Sequence, residues 1–366
     1  MIYKLSNRRI VVKFGGRSIR DSFNEALEFV LRLYGNNEVM VVLSALEGVT
    51  DALLHLAKSK DDSVVQQITK MHYNMCDKFG IDHSLLDPLF RELALVLKSE
   101  ERFPNKSAYV DHVLSFGERL SVMLFASALR NFGIEAEAID AFHVVKTDGS
   151  FGNARVDFPK TAKRVKILER MLNEGKVPVV TGFLGSYKGF RTTLGRGGSD
   201  YTATVLGSLL GSRAVLIMSD VRGIYSADPK VVRDAKLIPF VSYDEALIAS
   251  TLGMRALQKR AIGPVRDRLP VILGKTNGHR LGTLISDISG GVPILAHKPL
   301  NDSFACIGVV GLEEVDFNAP VYKRGKNWVS FLVRREELED SLNALHEVIF
   351  NEGFSSSNDS KLWTRI

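Results

Sequence analysis

The segment TTLGRGGSDYTA, Thr192–Ala203, gathers three glycines, an arginine, a serine and an aspartate just ahead of a run that reads as a helix. Glycines let the backbone approach a ligand closely, and Arg196 carries a planar fork suited to a carboxylate. Ser199 or Asp200 is expected to cap the following helix, yet a cap does not require Gly195, Gly197 and Gly198 set around Arg196. The loop lacks a lysine, so a phosphate bound there would need its cation from elsewhere. VVKFGGRS, Val11–Ser18, offers one: a strand ending in Lys13, then Gly15 and Gly16, then Ser18 at a helix start. Such a turn presents backbone N–H groups and an ammonium to a phosphate. SDVRGIYSADPK, Ser219–Lys230, joins a polar strand end to an aromatic and a basic residue, a setting for a nucleotide base and ribose. Glu118, in SFGERLS, is a lone acid in an otherwise amphipathic helix and by itself reads as a solvated side chain.

Two look-alikes fail on spacing. LGKT (Leu273–Thr276) ends like a Walker A loop, but Leu269 occupies the first glycine position; GRGG does not extend to GxGxxG, because Asp200 occupies the last. The eight histidines form no HExxH pattern and no metal cluster, and no Ser-His-Asp arrangement suggests acyl-enzyme hydrolysis.

These residues need a frame, and the rest of the chain supplies it. Strands are expected at 9–14, 38–44, 134–140, 177–183, 214–220 and 270–274, with helices at 21–34, 49–58, 108–131, 159–173 and 199–210. Strands alternating with helices make βαβ units and a mostly parallel sheet covered on both faces. Asp61–Lys98 reads as an added helical hairpin. In such a sheet ligands sit beyond the carboxyl ends of the strands, which selects Gly15, Gly16, Ser44, Gly182, Phe183 and Asp220. From about Asn301 the pattern changes: FACIGVVGL and WVSFLVR read as strands, and REELEDSLNALHEVIF as a helix burying Leu338, Leu342, Leu345 and Ile349. Two domains are expected, 1–298 and 299–366, as a length of 366 residues suggests.

Lys plus Arg exceeds Asp plus Glu by 48 − 42 = 6, but the basic residues are scattered. That favours anionic small molecules over nucleic acid, which usually requires a clustered patch. Cys76 and Cys306 are far apart, with no CxxC, so a reducing compartment is expected. The N-terminus carries no signal-like apolar region, and no run approaches the length of a membrane span. A cytoplasmic protein without nucleic-acid or membrane partners is the expectation.

In sequence order, KFGGRS, VVLSALEGVT, GERLS, TTLGRGGSDYTA and SDVRGIYSADPK resemble the aspartokinases of the amino-acid kinase superfamily. The family patterns are KFGGTS, VVxSAxxGxT, a GERLS-like helix, TTLGRGGSDYSA and TDVDGIYTADPR. The resemblance covers roughly residues 9–290. It implies a three-layer αβα fold with a mostly parallel sheet, and a single, incomplete ACT-like α+β module at the C-terminus. It implies transfer of the ATP γ-phosphoryl group, with Mg²⁺, to the side-chain carboxylate of L-aspartate, the first step towards lysine, threonine and methionine. A carboxylate with a pKa of about 4 is already ionised at neutral pH, so no general base is needed.

Carried over by motif, Lys13 is implied to stabilise the transferring phosphoryl group and Gly15 and Gly16 to line it. Asp200 organises the lysine, Arg196 clamps a substrate carboxylate and Glu118 takes the ammonium group. Ser44, Thr50 and Ser199 complete the acceptor pocket, while Ser219, Asp220, Tyr225, Lys230 and Arg255 fall to the nucleotide. No protein metal ligand is implied, and a homodimer is. The chain departs from the patterns at Arg17 (Thr), Arg222 (Asp), Lys230 (Arg) and Arg255 (Lys), and the His-Pro after the last is missing from MRALQK. The alternatives are a kinase of another amino acid or carboxylate, and a non-catalytic nucleotide-binding regulatory subunit.

Overall fold

The computed structural model describes residues 8–351. Residues 1–7 and 352–366, and with them the SSSNDS stretch and the end of the second expected domain, lie outside the described residues.

The frame grows from β1 (Arg9–Phe14). Its side chains are buried on both faces, as a central parallel strand requires: Val12 and Phe14 enter one core and Val11 the other. It lies between β2 (Glu38–Leu43) and β7 (Ala214–Ser219), parallel to both. With β3 (Ala136–Ile139), β4 (Val177–Thr181), β8 (Phe240–Ser242), β9 (Val271–Lys275) and β10 (Arg280–Ser286), the sheet order is β3-β4-β2-β1-β7-β9-β10-β8. Only the β9/β10 pair is antiparallel.

One face carries α1 (Gly16–Asp21), α2 (Phe23–Tyr34), α3 (Val49–Ser59), α4 (Asp62–Phe79), α5 (Asp87–Leu97) and α6 (Lys106–Asn131). The other carries α7 (Phe158–Asn173), α8 (Gly198–Leu209), α9 (Tyr243–Leu252) and α10 (Lys259–Ile262). This is the expected three-layer αβα arrangement. Each expected strand and helix of this domain ends within about two residues of its observed bounds.

Three features depart from expectation. A short hairpin, β5 (Leu184–Tyr187) and β6 (Phe190–Thr193), leads directly into the Arg196 loop; its four-residue strands contain no apolar run to betray them. The edge strand β8 and its neighbour β10 were likewise not expected. Finally, β11 (Ile294–Pro299) opens a second, antiparallel sheet, ordered β11-β12-β14-β13 with β12 (Phe304–Val310), β13 (Val321–Gly325) and β14 (Trp328–Arg334). The boundary expected at 298/299 therefore falls inside β11, and we place the joint at 287–293.

On one face of the second sheet lies α11 (Leu338–Asn351), burying Leu342, Leu345 and Ile349 with Phe331 and Val329, while Leu338 is only partly buried. On the other face lies α9 of the larger domain; a Cβ at Gly308 would stand 2.6 Å from Leu252 Cδ1. The small module is thus packed firmly on the larger one. Cys76 and Cys306 are buried and unpaired, and no helix among the described residues is long and apolar enough to cross a membrane.

Candidate active site

Parallel strands end at one edge of a sheet, and here their carboxyl ends converge. The β1 exit is stitched to its neighbours: Gly15 N donates to Met218 O (3.1 Å), Ser44 N to Phe14 O (3.3 Å) and Gly182 N to Leu43 O (2.8 Å). Gly16 passes so close to the next strand exit that a Cβ there would lie 2.5 Å from Ala45 O. Any side chain at this position would force the β1 and β2 exits apart.

A cleft of ≈490 Å³ opens at this edge, lined by Lys13, Ser44, Thr50, Glu118, Arg196, Ser199 and Asp200 among others. Residues spread over nearly 190 positions of sequence are brought into one cavity. Lys13 Nζ lies 2.7 Å from Asp200 Oδ1, in the first turn of α8. Asp200 therefore does not cap α8, and neither does Ser199: the cap position is Gly197, with φ +71°, and no side chain closes the helix start. The correction has a physical basis. Gly195 (φ +73°) and Gly197 occupy left-handed backbone, which lets the loop turn into α8 and frees both side chains to face the cleft. Arg196 is exposed at the rim and forms no ion pair among the described residues.

Glu118 is the largest departure from the one-dimensional reading. It is 3 % exposed, because α6 is wedged between α3, α4 and α5 on one side and β3, β4 and β6 on the other. Its Oε1 accepts from Ala45 N (3.1 Å), while Oε2 is buried without a partner. Burial pushes this carboxyl up to about 8, against the lowering effect of the Ala45 N–H. A buried acid with one oxygen unsatisfied, at the wall of a cleft, is a seat for a cation.

Another lining residue, Asp111, escaped sequence reading, whereas Phe183 was among the strand-end candidates. Asp111 lies two turns before Glu118 on the same helix face and is buried. Its Oδ2 accepts from Gly152 N and Thr193 N, and its Oδ1 from Thr193 Oγ1, each at 2.8 Å. It ties the 149–153 loop to the end of β6. Burial nonetheless raises its carboxyl to about 6. The seven-residue spacing from Glu118 was the signal that could have found it. Phe183 adopts φ +64°, held by Thr202 Oγ1 on its backbone N–H (3.1 Å), and also lines the cleft. Arg260 braces the Arg196 loop through Asn153 Oδ1 (2.6 Å), Leu194 O (2.8 Å) and Ala154 O (2.7 Å).

A second cleft, ≈330 Å³, lies on the other side of the β1/β7 exit and takes in Asp220, Tyr225, Lys230 and Arg255. Ser219 does not line it: its hydroxyl turns back on the loop, donating to Val221 O and accepting from Val221 N. Asp220 is ion-paired with Arg17, which also binds Glu47. Arg17 is thus neutralised by two carboxylates rather than left as a spare positive charge. Gly15 and Gly16 line neither cleft and form the ridge between them.

Comparison with known proteins places this geometry. The amino acid kinase family model matches residues 8–275. The chain belongs to the amino acid kinase family. Within it, the chain is 34% identical over 298 residues to lysine-sensitive aspartokinase 3 of Escherichia coli K12, an alignment covering 78% of this chain and 66% of that protein. It is 31% identical over 299 residues to the chloroplastic aspartokinase 1 of Arabidopsis thaliana, covering 75% of this chain and 52% of that one. It therefore spans between about half and two thirds of the length of these relatives. The fold matches the crystal structure of E. coli aspartokinase III in complex with aspartate and ADP (R-state), with TM-score 0.82 and 24% identity over 93% of this chain and 99% of that one. An amino acid kinase fold carrying a small ACT-like module accounts for both sheets.

Proposed function

We propose that this amino acid kinase is an aspartate kinase, transferring the γ-phosphoryl group of ATP to the side-chain carboxylate of L-aspartate. The observation that carries the reading is Glu118 Oε2, buried and unpartnered in a cleft that also holds Arg196 and the Lys13–Asp200 pair. A seat for an ammonium, a free guanidinium and a lysine at the strand ends suit a small amino acid with a second carboxylate. The chain's similarity to aspartokinases supports aspartate as that acid.

In this reading Glu118 binds the α-ammonium and Arg196 a carboxylate, with Ser44, Thr50 and Ser199 shaping the pocket around them. ATP occupies the second cleft, between Tyr225, Lys230 and Arg255, and its phosphates cross the Gly15–Gly16 ridge towards Lys13. The bond from the γ-phosphorus to the bridging oxygen of ADP breaks as a bond to the aspartate carboxylate oxygen forms. The acceptor is already ionised, so no proton moves, and catalysis rests on positioning and charge neutralisation. Lys13 supplies the charge, and Asp200 keeps its flexible side chain aimed. In this reading Mg²⁺ enters as the counter-ion of ATP, part of the substrate.

We further place the protein in the cytoplasm, in keeping with two buried, unpaired cysteines, and as a homodimer. Among the described residues the outer edge of β13 has no pairing strand, and this edge, with Val321 and Tyr322 exposed, supports the dimer. Hydroxylamine trapping with MgATP and a panel of aspartate, glutamate and related acids tests the reaction. Aspartyl hydroxamate is the expected product, and its absence while another acid gives product would reassign the acceptor.

A further inference from the structure

Both segments that line the second cleft are seated on the C-terminal module. The loop after β7 rests first on β10, where Ile224 N donates to Thr283 Oγ1 (2.8 Å). It then passes to the module. Ser226 O accepts from Leu295 N (2.7 Å), and Ser226 Oγ lies 2.9 Å from His346 Nε2, on α11. Both side chains are buried. Ser226 Oγ also accepts from Lys236 N (2.9 Å), and burial favours the neutral imidazole at His346, so the Ser226–His346 contact is a neutral hydrogen bond. Beyond Ser226, Ala227 and Val232 are part of the module's own core, with Leu295, Ile307, Phe331 and Leu345.

The second segment, 253–256, is equally dependent. Gly253 adopts φ +120° and lies against β11 so closely that a Cβ would fall 2.1 Å from His297 O. Lys298 Nζ donates to Thr251 O just before it (2.7 Å). The cleft between the two segments is closed by Leu295, Ala296 and His297 of β11. Their surface is apolar apart from an imidazole that burial also favours as neutral. That suits the nucleoside end of a nucleotide, while the charged end faces the β1 exit.

We propose that the C-terminal module is a wall of the nucleotide pocket: His297 contacts the nucleoside, and His346, through Ser226, is a positioning residue for the loop bearing Tyr225 and Lys230. The proposal rests on the assignment of the second cleft to the nucleotide. It makes the module a component of substrate binding whether or not it senses a ligand of its own.

Calorimetric titration of MgADP into the full chain tests this without an acceptor. His346→Ala should weaken ADP about tenfold, the loss of one buried hydrogen bond, and His346→Gln, which restores a partner for Ser226, should recover most of it. His297→Ala should weaken ADP about three- to tenfold. In both, the KM for the acceptor should stay within about twofold of wild type, the split that separates pocket from global effects. Val333→Ala, in the same core but remote from Ser226, should lower the melting temperature and leave ADP affinity unchanged. Wild-type ADP affinity in His346→Ala and His297→Ala, or equal weakening in Val333→Ala, would overturn the proposal. If His346→Ala does not fold, the half-buried His297 carries the test. ADP binding without acyl phosphate from any acid overturns the acceptor assignment alone; acyl phosphate formation with unaffected variants overturns this inference alone. A wild-type chain that binds no ADP overturns both.

Discussion

The two clefts on either side of the β1 exit are built in opposite ways. The first, the proposed acceptor cleft, is walled by strand ends and helix turns of the large domain, and its polar groups are buried and largely pre-placed: Lys13 on Asp200, Glu118 on Ala45 N, Asp111 on three donors. The second, the proposed nucleotide cleft, is walled by loops, and its backing comes from the second sheet and α11. In the proposed reading, chemistry at the first must distinguish one small acid from another, and rigid, desolvated charges suit that discrimination. The second must admit and release a larger molecule, and loops propped by a neighbouring module allow it. Changes in the first cleft should therefore alter turnover and acceptor binding, and changes around the second should alter nucleotide affinity.

Lys13→Ala offers the sharpest test of that division. Turnover should fall by about 10²–10³-fold or more, the scale of losing a charge aimed at the transferring group, while circular dichroism and melting stay near wild type. Activity close to wild type would remove Lys13 from its role and merge the two clefts into one binding site.

Glu118→Gln should come next, raising the acceptor KM by about one to two orders of magnitude, as expected for a desolvated charge-assisted contact, with ADP affinity unchanged. The same residue makes a pH prediction. With the folded carboxyl at about 8 and the unfolded one at 4.5, the folded chain holds a proton that the unfolded chain loses across that window. This group's contribution to stability therefore falls as pH rises from 4.5 to 8. Glu118→Gln should remove the dependence and melt higher than wild type at pH 8.5 in the absence of substrate. Acceptor binding near pH 7 should release about one proton from Glu118, measurable by calorimetry in buffers of different ionisation enthalpy. No buffer dependence would mean that the ammonium binds elsewhere.

Asp111→Ala tests whether the proposed acceptor cleft is a scaffold as well as a set of charges. The truncation leaves the Gly152 and Thr193 N–H groups without their shared acceptor, so the acceptor KM should rise by roughly tenfold through displacement of the 149–153 loop, again without effect on ADP. Equal loss of both affinities would show that Asp111 only stabilises the fold.

The smallest effect is expected at Arg17→Ala. Arg17 spans the ridge to Asp220 and Glu47, but its side chain is 48% exposed, and exposed ion pairs contribute about 0–1 kcal/mol. Stability should change by no more than that and turnover by less than about fivefold, with any difference fading at high salt. A large loss would make Arg17 part of the phosphate site.

Much of this was readable in one dimension. The apolar strand runs, the alternation with helices and the glycine-spaced motifs depend on local periodicity and backbone freedom, which a sequence displays directly; hence the sheet, its helices and the residues of the first cleft. The short β5–β6 hairpin and the strands β10 and β8 at one end of the sheet were not, because they owe their conformation to what they pair with rather than to their own composition. The same distinction divides the site. Lys13, Arg196 and Asp200 announce themselves through the glycines around them. That Glu118 is a buried acid, that Asp111 braces the cleft two turns away, that Ser199 and Asp200 face the cleft instead of capping α8, and that Arg17 is neutralised were decided by tertiary packing. So was the seating of Ser226 on His346, 120 positions away. Burial and long-range partners are properties of the assembled fold, because desolvation depends on every layer packed around a group and on none of them alone.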